Sequence, residues 1–337
     1  MNSLYNKHIL KISDLTKKEI KKIIKFASVL KKNRNNKQEI QYLKNKKIAL
    51  IFEQKSTRTR CSFEVAAIEQ GAYVSYLGSD IHLGYKESIT DTIKVLERLY
   101  DGIAYRGSNH KYIKIISQNS QIPIWNALTQ KYHPTQILAD IFTIIECMPN
   151  KSIENIICTY VGDASNNIAK TLLEIAQIMK LKLRFLAPKK YWPKLPISNN
   201  KNIKNNIMCT ENIKKGVELS DFIYTDAWIS MGEDPSTWEE KIQLLKKYQI
   251  NEEMIQLSKN KNIKILHCLP SLHDSNTILG KKISKKYKLN NGIEITNTVF
   301  KKYQDIIFTQ SENKLHTIKA LMILNLIQNI NNKSILS

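Results

Sequence analysis

The polar run between residues 53 and 60 has the residue types of an anion-binding site. It reads Glu-Gln-Lys-Ser-Thr-Arg-Thr-Arg, follows an apolar run at 48–52, and leads into a predicted helix closed by Gly71. We predict that Ser56 caps this helix, so that the N–H groups of residues 57–59 point outward toward an anion. With hydroxyls and an arginine fork at the same place, the run predicts a phosphate site. The alternative is a plain capped helix with surface arginines.

Further polar motifs follow apolar runs later in the chain. They are Asp80-Ile81-His82-Leu83-Gly84, Lys86-Glu87-Ser88, Tyr105-Arg106-Gly107, His133-Pro134-Thr135-Gln136, Gly162-Asp163-Ala164-Ser165-Asn166-Asn167, the run from Asp226 to Glu233, and His267-Cys268-Leu269-Pro270. Singly, they have ordinary interpretations: a loop histidine at His133, an ion-pair partner at Arg106, a helix cap at Asp226. His267 and Cys268 are not predicted to bind a metal, because neighbouring side chains on a strand point to opposite faces. Because all of these motifs occur together at the ends of predicted strands, we favour a functional site over the ordinary interpretations.

In the order and spacing of these motifs, the chain resembles the aspartate and ornithine carbamoyltransferase family, from about residue 45 to about residue 325. The family's carbamoyl-phosphate signature is the Ser-Thr-Arg-Thr-Arg run found at 56–60. The resemblance implies transfer of a carbamoyl group from carbamoyl phosphate to the δ-amine of L-ornithine, giving citrulline and phosphate in arginine biosynthesis. This chemistry needs a polarised carbonyl, a bound phosphate and an uncharged amine. We therefore expect no metal and no other cofactor.

The resemblance also implies roles for individual residues. The residues expected to bind carbamoyl phosphate are Ser56, Thr57, Arg58, Thr59, His82, Arg106, His133, Gln136, Cys268, Leu269 and Lys314. Those expected to bind ornithine are Asn167, Asp226, Ser230 and Met231. The catalytic residues are expected to be Arg106 and His133, which stabilise charge on the carbonyl oxygen, and Asp226 and Cys268, which accept the proton of the amine.

Three positions bear on substrate choice. An acidic Asp226 and a thiol at Cys268 suit a cationic acceptor and would repel aspartate, which favours the ornithine branch. The aspartate branch has His-Pro-Leu-Pro at 267–270 and lacks the Ser-Met-Gly loop of 230–232, whereas branches that use putrescine or N-acetylornithine stay open as alternatives. The chain departs from the ornithine pattern at Lys314, where the family usually has arginine, so the charge is kept but the planar fork is lost.

Parallel-sheet domains are predicted to position these motifs. Short apolar runs alternate with amphipathic stretches in two series, the pattern of βαβ units, with predicted strands at 48–52, 72–77, 102–105, 122–125, 156–161, 183–187, 222–225 and 263–267. We predict two doubly wound parallel-sheet α/β domains joined by bridging helices. Residues 1–148 would bind carbamoyl phosphate and 149–311 ornithine. A C-terminal segment, 312–337, with a helix over about 312–330, would pack back on the first domain.

The formal net charge of +22 raises the alternative of a nucleic-acid-binding protein. Only six of the 52 basic residues are arginine, and the lysines are scattered, unlike the clustered stripe of such a binder. We therefore expect small-molecule substrates and no nucleic-acid partner. Because no run approaches the ~18 apolar residues of a membrane span, we expect a cytoplasmic protein without membrane contact. The resemblance implies a homotrimer with shared active sites, in which His82 reaches a neighbouring subunit.

Overall fold

The computed structural model describes residues 2–78, 81–194, 206–229, 233–289 and 291–330. The chain divides into two units, the first made of Met1–Thr143 with Glu312–Ser337 and the second of Ile144–Ser311. Each unit contains one sheet whose strands all run parallel, with helices between successive strands. This architecture confirms the predicted fold class of two parallel-sheet α/β domains.

The first unit contains a four-stranded sheet. Its strands are β1 (Lys47–Phe52), β2 (Tyr73–Leu77), β3 (Gly102–Arg106) and β4 (Ile124–Leu128). Its helices are a 3-10 turn at Ile12–Asp14 and the α-helices α1 (Lys17–Asn35), α2 (Arg58–Glu69), α3 (Ile89–Leu99), α4 (His110–Gln118) and α5 (Pro134–Cys147). The last residues of α5 belong to the second unit by the division above.

The strand order of the first sheet, β2-β1-β3-β4, identifies where its ligand site should lie. The chain leaves β1 toward one edge to form β2 and then returns to the other side of β1 to form β3. The connections therefore diverge between the carboxyl ends of β1 and β3, where open parallel sheets bind their ligands. Both strands are buried along almost their whole length, which explains why they read as continuous apolar runs.

The second unit contains a five-stranded sheet. Its strands are β5 (Ile157–Val161), β6 (Lys182–Leu186), β7 (Ile207–Thr210), β8 (Phe222–Thr225) and β9 (Lys264–His267). Its α-helices are α6 (Asn167–Met179), α7 (Ile213–Val217), α8 (Trp238–Leu245), α9 (Glu252–Leu257), α10 (Ile278–Tyr287) and the start of α11 (Asn297–Leu326). Short 3-10 turns lie at Ile153–Asn155, Lys189–Tyr191, Pro235–Thr237 and Lys246–Tyr248.

The strand order of the second sheet, β7-β6-β5-β8-β9, also makes the connections between strands diverge at the carboxyl ends of two neighbouring strands, here β5 and β8. The chain moves from β5 outward through β6 and β7, then returns to the other side of β5 with β8 and β9. The carboxyl ends of β5, β8 and β9 are consequently neighbours. The polar segments that begin at residues 162, 226 and 268 follow these three ends, so the topology brings them to one edge of the sheet.

The structure corrects the sequence prediction at two elements. Strand β7 was not predicted, because its four residues are only half-buried and follow a stretch rich in lysine and asparagine. The helix predicted over about 312–330 begins earlier, at Asn297, because Val299, Phe300 and Ile307 are buried and no breaking residue intervenes. It ends at Leu326. Within the described ranges, no helix is both long enough and apolar enough to cross a membrane.

Candidate active site

The segment after β1 presents the start of a helix. Helix α2 begins at Arg58, and Thr57 occupies the N-cap position without a capping hydrogen bond from its side chain. The prediction that Ser56 is the cap was therefore wrong by one residue: Thr57 already has helical dihedral angles, so its hydroxyl does not bond back to the first turn. The Cys61 N–H donates to the Thr57 carbonyl. The N–H groups of residues 58–60 precede that bond and point out of the helix start, which favours an anion.

The two arginines of the Ser-Thr-Arg-Thr-Arg run have different surroundings. The Arg60 side chain donates to Glu64 at 2.8 Å and stacks on the Tyr76 ring at 3.5 Å, so its guanidinium is engaged by neighbouring side chains. Arg58 is half-buried, and its charge acts on Arg106, lowering the pKa of that group. The two arginines of the motif therefore differ: the charge of Arg58 acts on Arg106, whereas Arg60 contacts Glu64 and Tyr76.

Arg106, at the end of β3, is a buried cation. It lies opposite Phe52 of β1, and its backbone carbonyl accepts from the Glu53 N–H at 2.9 Å. Burial, and then the charge of Arg58, lowers the pKa of the guanidinium to about 10. Among the described residues, its buried Nε has no hydrogen-bond partner. Two guanidinium groups near each other, one with an unsatisfied donor, favour binding of an anion at this strand end.

His133 directly precedes α5 and is buried in the first unit. Burial, followed by the charges of Lys314 and Arg106, holds the pKa of its imidazole well below the usual value. The ring is therefore neutral at neutral pH. Its Nδ1 lies 3.3 Å from the Thr135 hydroxyl. In the tautomer whose Nδ1 accepts a hydrogen bond from this hydroxyl, the ring proton is on Nε2, and Nε2 is then a hydrogen-bond donor.

Gln136 and Lys314 complete the buried polar groups around His133. The Gln136 amide nitrogen donates to Asp140 at 2.8 Å, an orientation that presents the amide oxygen as an acceptor. Lys314, on α11, is buried, and its charge acts on His133. The lysine thus lies where the resemblance expects an arginine to help bind carbamoyl phosphate.

The remaining residues predicted for the first unit vary in exposure. Thr59 is buried in the first turn of α2, Ser56 is half-buried, and Thr57 is exposed. His82 is exposed on the loop between β2 and α3, a loop tied by a bridge between Leu83 and Glu87. The predicted role of His82 in binding carbamoyl phosphate at the site of a neighbouring subunit stays a prediction.

A carboxylate and a thiol meet at the ends of β8 and β9. The Cys268 thiol donates to the Asp226 Oδ1 at 2.9 Å, and the Ala227 N–H donates to the same oxygen at 2.8 Å. The Asn166 amide, at 3.4 Å, faces Oδ2. Burial raises the pKa of Asp226, and the hydrogen bond from Cys268 partly opposes that shift. A half-buried carboxylate with a raised pKa is suited to accept a proton.

The sequence interpretation missed the pair that fixes the β9 loop. His267 Nε2 lies 3.1 Å from Glu294, and its Nδ1 accepts from the Leu269 N–H at 2.9 Å. Burial alone would raise the pKa of Glu294. The hydrogen bonds from His267, Leu272 and Ser271 outweigh the effect of burial, so the pKa of Glu294 is lowered. Leu269 has a left-handed φ of 54°. The only signal for this pair in the sequence was an acid between two isoleucines at 293 and 295.

Two of the predicted ornithine-binding residues, Ser230 and Met231, lie outside the described residues, as does Asp80. Asn167 is the first residue of α6, beside the cap residue Asn166. Cys268 and Leu269 belong to the second unit, and their implied contacts with carbamoyl phosphate stay predictions. Across the described ranges, no three His, Cys, Asp or Glu side chains are grouped so that they could hold a metal ion.

Family models match both parts of the chain. The model for the carbamoyl-P binding domain of aspartate/ornithine carbamoyltransferase matches residues 7–146. The model for the Asp/Orn binding domain matches residues 154–325. Each match contains one of the two sheets described above.

Similar proteins and structures carry consistent names. The ornithine carbamoyltransferase of Buchnera aphidicola subsp. Baizongia pistaciae is 56% identical over 335 residues, covering 97% of this chain and 98% of that protein. That of Blochmanniella floridana is 48% identical, covering 99% and 98%. The solved ornithine carbamoyltransferase of Pyrococcus furiosus is similar with a TM-score of 0.85 and 30% identity, covering 97% and 99%. The anabolic enzyme of that name from Campylobacter jejuni has a TM-score of 0.79 and 31% identity, covering 94% and 97%.

Proposed function

The chain belongs to the aspartate/ornithine carbamoyltransferase family, and from that premise we propose that it transfers the carbamoyl group of carbamoyl phosphate to the δ-amine of L-ornithine. The products are citrulline and phosphate, and the reaction serves arginine biosynthesis in the cytoplasm. The proposal is supported by relatives of that name that match nearly the full length of the chain. The observation that carries the choice of acceptor is the contact of the Cys268 thiol with the half-buried Asp226 carboxylate.

In the first unit, we assign the site at the ends of β1 and β3 to carbamoyl phosphate. The outward N–H groups at the start of α2 and the Arg58 side chain bind the phosphate dianion. Arg106 and the Nε2–H of His133 donate to the carbonyl oxygen as negative charge develops there. The Gln136 amide oxygen accepts from the carbamoyl nitrogen. Support comes from the buried cationic groups gathered around a neutral His133.

In the second unit, we assign the site at the ends of β5, β8 and β9 to ornithine, with Asn167, Ser230 and Met231 holding its amino-acid end. An alkylamine has a pKa of about 10.4, so the δ-amine must lose a proton before it attacks the carbonyl carbon. Cys268 donates to Asp226 and so keeps its thiol proton, which leaves the carboxylate as the group that receives the proton of the amine. The amine nitrogen then forms its bond to the carbonyl carbon while the bond between that carbon and the phosphate oxygen breaks, and the second proton of the nitrogen leaves with the phosphate.

The same contact argues against aspartate as the acceptor. A second carboxylate beside Asp226 would face a half-buried like charge, and the two would repel each other. A cationic diamine is attracted instead. Putrescine and N-acetylornithine differ from ornithine at the amino-acid end, which in this proposal contacts Asn167, Ser230 and Met231.

A product assay tests the proposal. The purified protein, given carbamoyl phosphate and ornithine, is expected to form citrulline and phosphate in equal amounts. Phosphate release without citrulline would contradict the proposal, because it would mean that water and not the amine is the acceptor.

Replacement of Lys314 by arginine is expected to improve use of carbamoyl phosphate several-fold and leave ornithine discrimination unchanged. Lysine provides a point charge, whereas arginine can donate two parallel hydrogen bonds, a difference of about 1–2 kcal/mol where the contact is made. Steady-state kinetics of Lys314→Arg measure it. A fall in kcat/KM for carbamoyl phosphate would show that the buried surroundings of Lys314 are adjusted to lysine, against this prediction.

We further propose that the protein is a homotrimer with shared active sites. Support comes from apolar side chains that are exposed on α2, β2 and α3, namely Val65, Ile68, Tyr73, Val95 and Leu99. Strand β2 is at the edge of its sheet, where a second copy can approach. The exposed His82 lies on the loop that follows β2, which supports its assignment to a neighbouring subunit.

Mixing two inactive variants is expected to restore activity. A trimer that combines His82→Ala subunits with Arg106→Ala subunits contains sites in which both residues are intact, because each site takes His82 from one chain and Arg106 from another. The measurement is citrulline formation after joint dissociation and reassembly, with wild type treated in parallel and light scattering to count subunits. Recovery of wild type without any recovery of the mixture would contradict shared sites.

A further inference from the structure

Lys241, on α8, is a buried cation that joins two segments of the second unit. Its Nζ lies 2.8 Å from the Asp163 Oδ2 and 2.9 Å from both carboxylate oxygens of Glu233. The Lys241 side chain is 7% exposed, that of Asp163 8% and that of Glu233 20%. Burial alone would lower the pKa of Lys241. The two carboxylates outweigh the effect of burial, so the pKa of Lys241 is raised. The ammonium therefore keeps its charge in an almost dry position.

Asp163 connects this ammonium to the turn that begins α6. Its Oδ1 accepts from the Ser165 N–H at 2.9 Å and from the Ser165 hydroxyl at 2.6 Å. The next residue, Asn166, caps α6 and contacts Asp226 through its side-chain amide. Because one carboxylate holds both Lys241 and this turn, a displacement of Asp163 would be transmitted to the residues that follow it.

Glu233 connects the same ammonium to the segment after β8. That segment begins with Asp226, and Glu233 is its eighth residue in the sequence. Both oxygens of Glu233 contact Lys241, an arrangement that fixes the carboxylate more firmly than a single contact. Without the ammonium, two carboxylates that now share one cation would repel each other, and the two segments would separate.

We propose that Lys241 is a positioning residue for the amino-acid acceptor: by holding Asp163 and Glu233 together, it sets the distance between the turn that carries Asn167 and the segment that begins at Asp226. The inference rests on the function proposed above and adds a residue that contacts neither substrate. Among the described residues, Lys241 contacts the two segments that carry Asn167 and Asp226 and not the segment at 268–269, so its effect is expected on ornithine and not on carbamoyl phosphate.

Steady-state kinetics of three variants test the inference. Lys241→Met keeps the length of the side chain but removes the charge, and it is expected to raise KM for ornithine at least about tenfold, as small displacements of binding groups do. KM for carbamoyl phosphate should stay within about twofold of wild type. Lys241→Arg, which restores the cation, should recover most of the loss. The matched control is Lys259→Met, which breaks an exposed ion pair with Glu218 in the same unit and should leave both KM values unchanged.

Several outcomes decide the inference. It is overturned if Lys241→Met raises KM for ornithine no more than Lys259→Met does, or if it raises KM for both substrates equally. If Lys241→Met does not fold, Glu233→Gln removes one partner at a more exposed position, and a rise of less than about twofold in KM for ornithine overturns it. Wild type that forms no citrulline contradicts the proposed function itself, which separates the two failures.

Discussion

Replacing Arg58 with methionine is expected to lower kcat/KM for carbamoyl phosphate by roughly 10²- to 10³-fold, about 3–4 kcal/mol, the usual loss when a preorganised charged donor is removed from a reacting anion. Arg58 is the arginine of the Ser-Thr-Arg-Thr-Arg run whose charge acts on the buried Arg106. Without it, the phosphate leaving group loses a cation at the start of α2. Initial rates at varied carbamoyl phosphate measure the effect.

The control for this variant lies two residues along the chain. Arg60→Met removes the same side chain from the same motif, but Arg60 contacts Glu64 and Tyr76. We expect its kcat/KM to stay within about threefold of wild type, since exposed ion pairs contribute little. Equal losses in the two variants would contradict the assignment, because they would show that the helix start as a whole, and not the Arg58 guanidinium, supports activity.

Replacing Asp226 with asparagine is expected to lower kcat/KM for ornithine by roughly 10²- to 10⁴-fold, the range for loss of a general base. Asparagine keeps the shape and can still accept a hydrogen bond from Cys268, but it has no charge for the amine and cannot take its proton. The dissociation constant for carbamoyl phosphate should change less than about twofold, since that site is assigned to the other unit. Kinetics with varied ornithine, together with direct titration of carbamoyl phosphate, measure the difference.

The pH dependence of ornithine use supplies the control for Asp226. Burial raises the pKa of this carboxyl, so the ionised form that accepts the proton is lost at a higher pH than for an ordinary aspartate as the solution is acidified. Wild type should therefore lose ornithine turnover on the acid side as Asp226 becomes protonated. Cys268→Ser replaces the thiol hydrogen bond that partly opposes the rise in the pKa of Asp226, so it should change the pH at which ornithine turnover falls. A Cys268→Ser enzyme with an unchanged profile would mean that the thiol only packs.

The sheet architecture was predictable because buried parallel strands leave a strong signal. The central strands β1, β3, β5 and β8 are buried and apolar, so they read as short continuous runs. Polar segments after such runs must meet at the carboxyl edge of the sheet, which is why a site could be predicted there. Strand β7 lacked this signal, since an edge strand of four half-buried residues resembles a loop.

The details of the site depend on contacts between residues far apart in sequence. The residue types of the run at 56–60 do not separate Arg58 from Arg60; the resemblance names Arg58, and the contact that engages Arg60 elsewhere is with Tyr76 of β2. The sequence likewise offers no reason to pair His267 with Glu294 or Lys241 with Asp163, which are 27 and 78 residues apart. The assigned roles of the individual residues, and the domain limits at 148 and 311, stay predictions.

Parallel assays with four acceptors test the central claim most directly. Carbamoyl phosphate is supplied at saturation with L-ornithine, putrescine, N-acetylornithine or L-aspartate, and the carbamoylated product and phosphate are both measured. We expect efficient turnover with ornithine, giving citrulline, and a kcat/KM at least about 10²-fold lower for the others, since each lacks a group that the acceptor site binds or adds a charge that it repels. A higher kcat/KM for any other acceptor, or no carbamoylated product at all, would contradict the central claim.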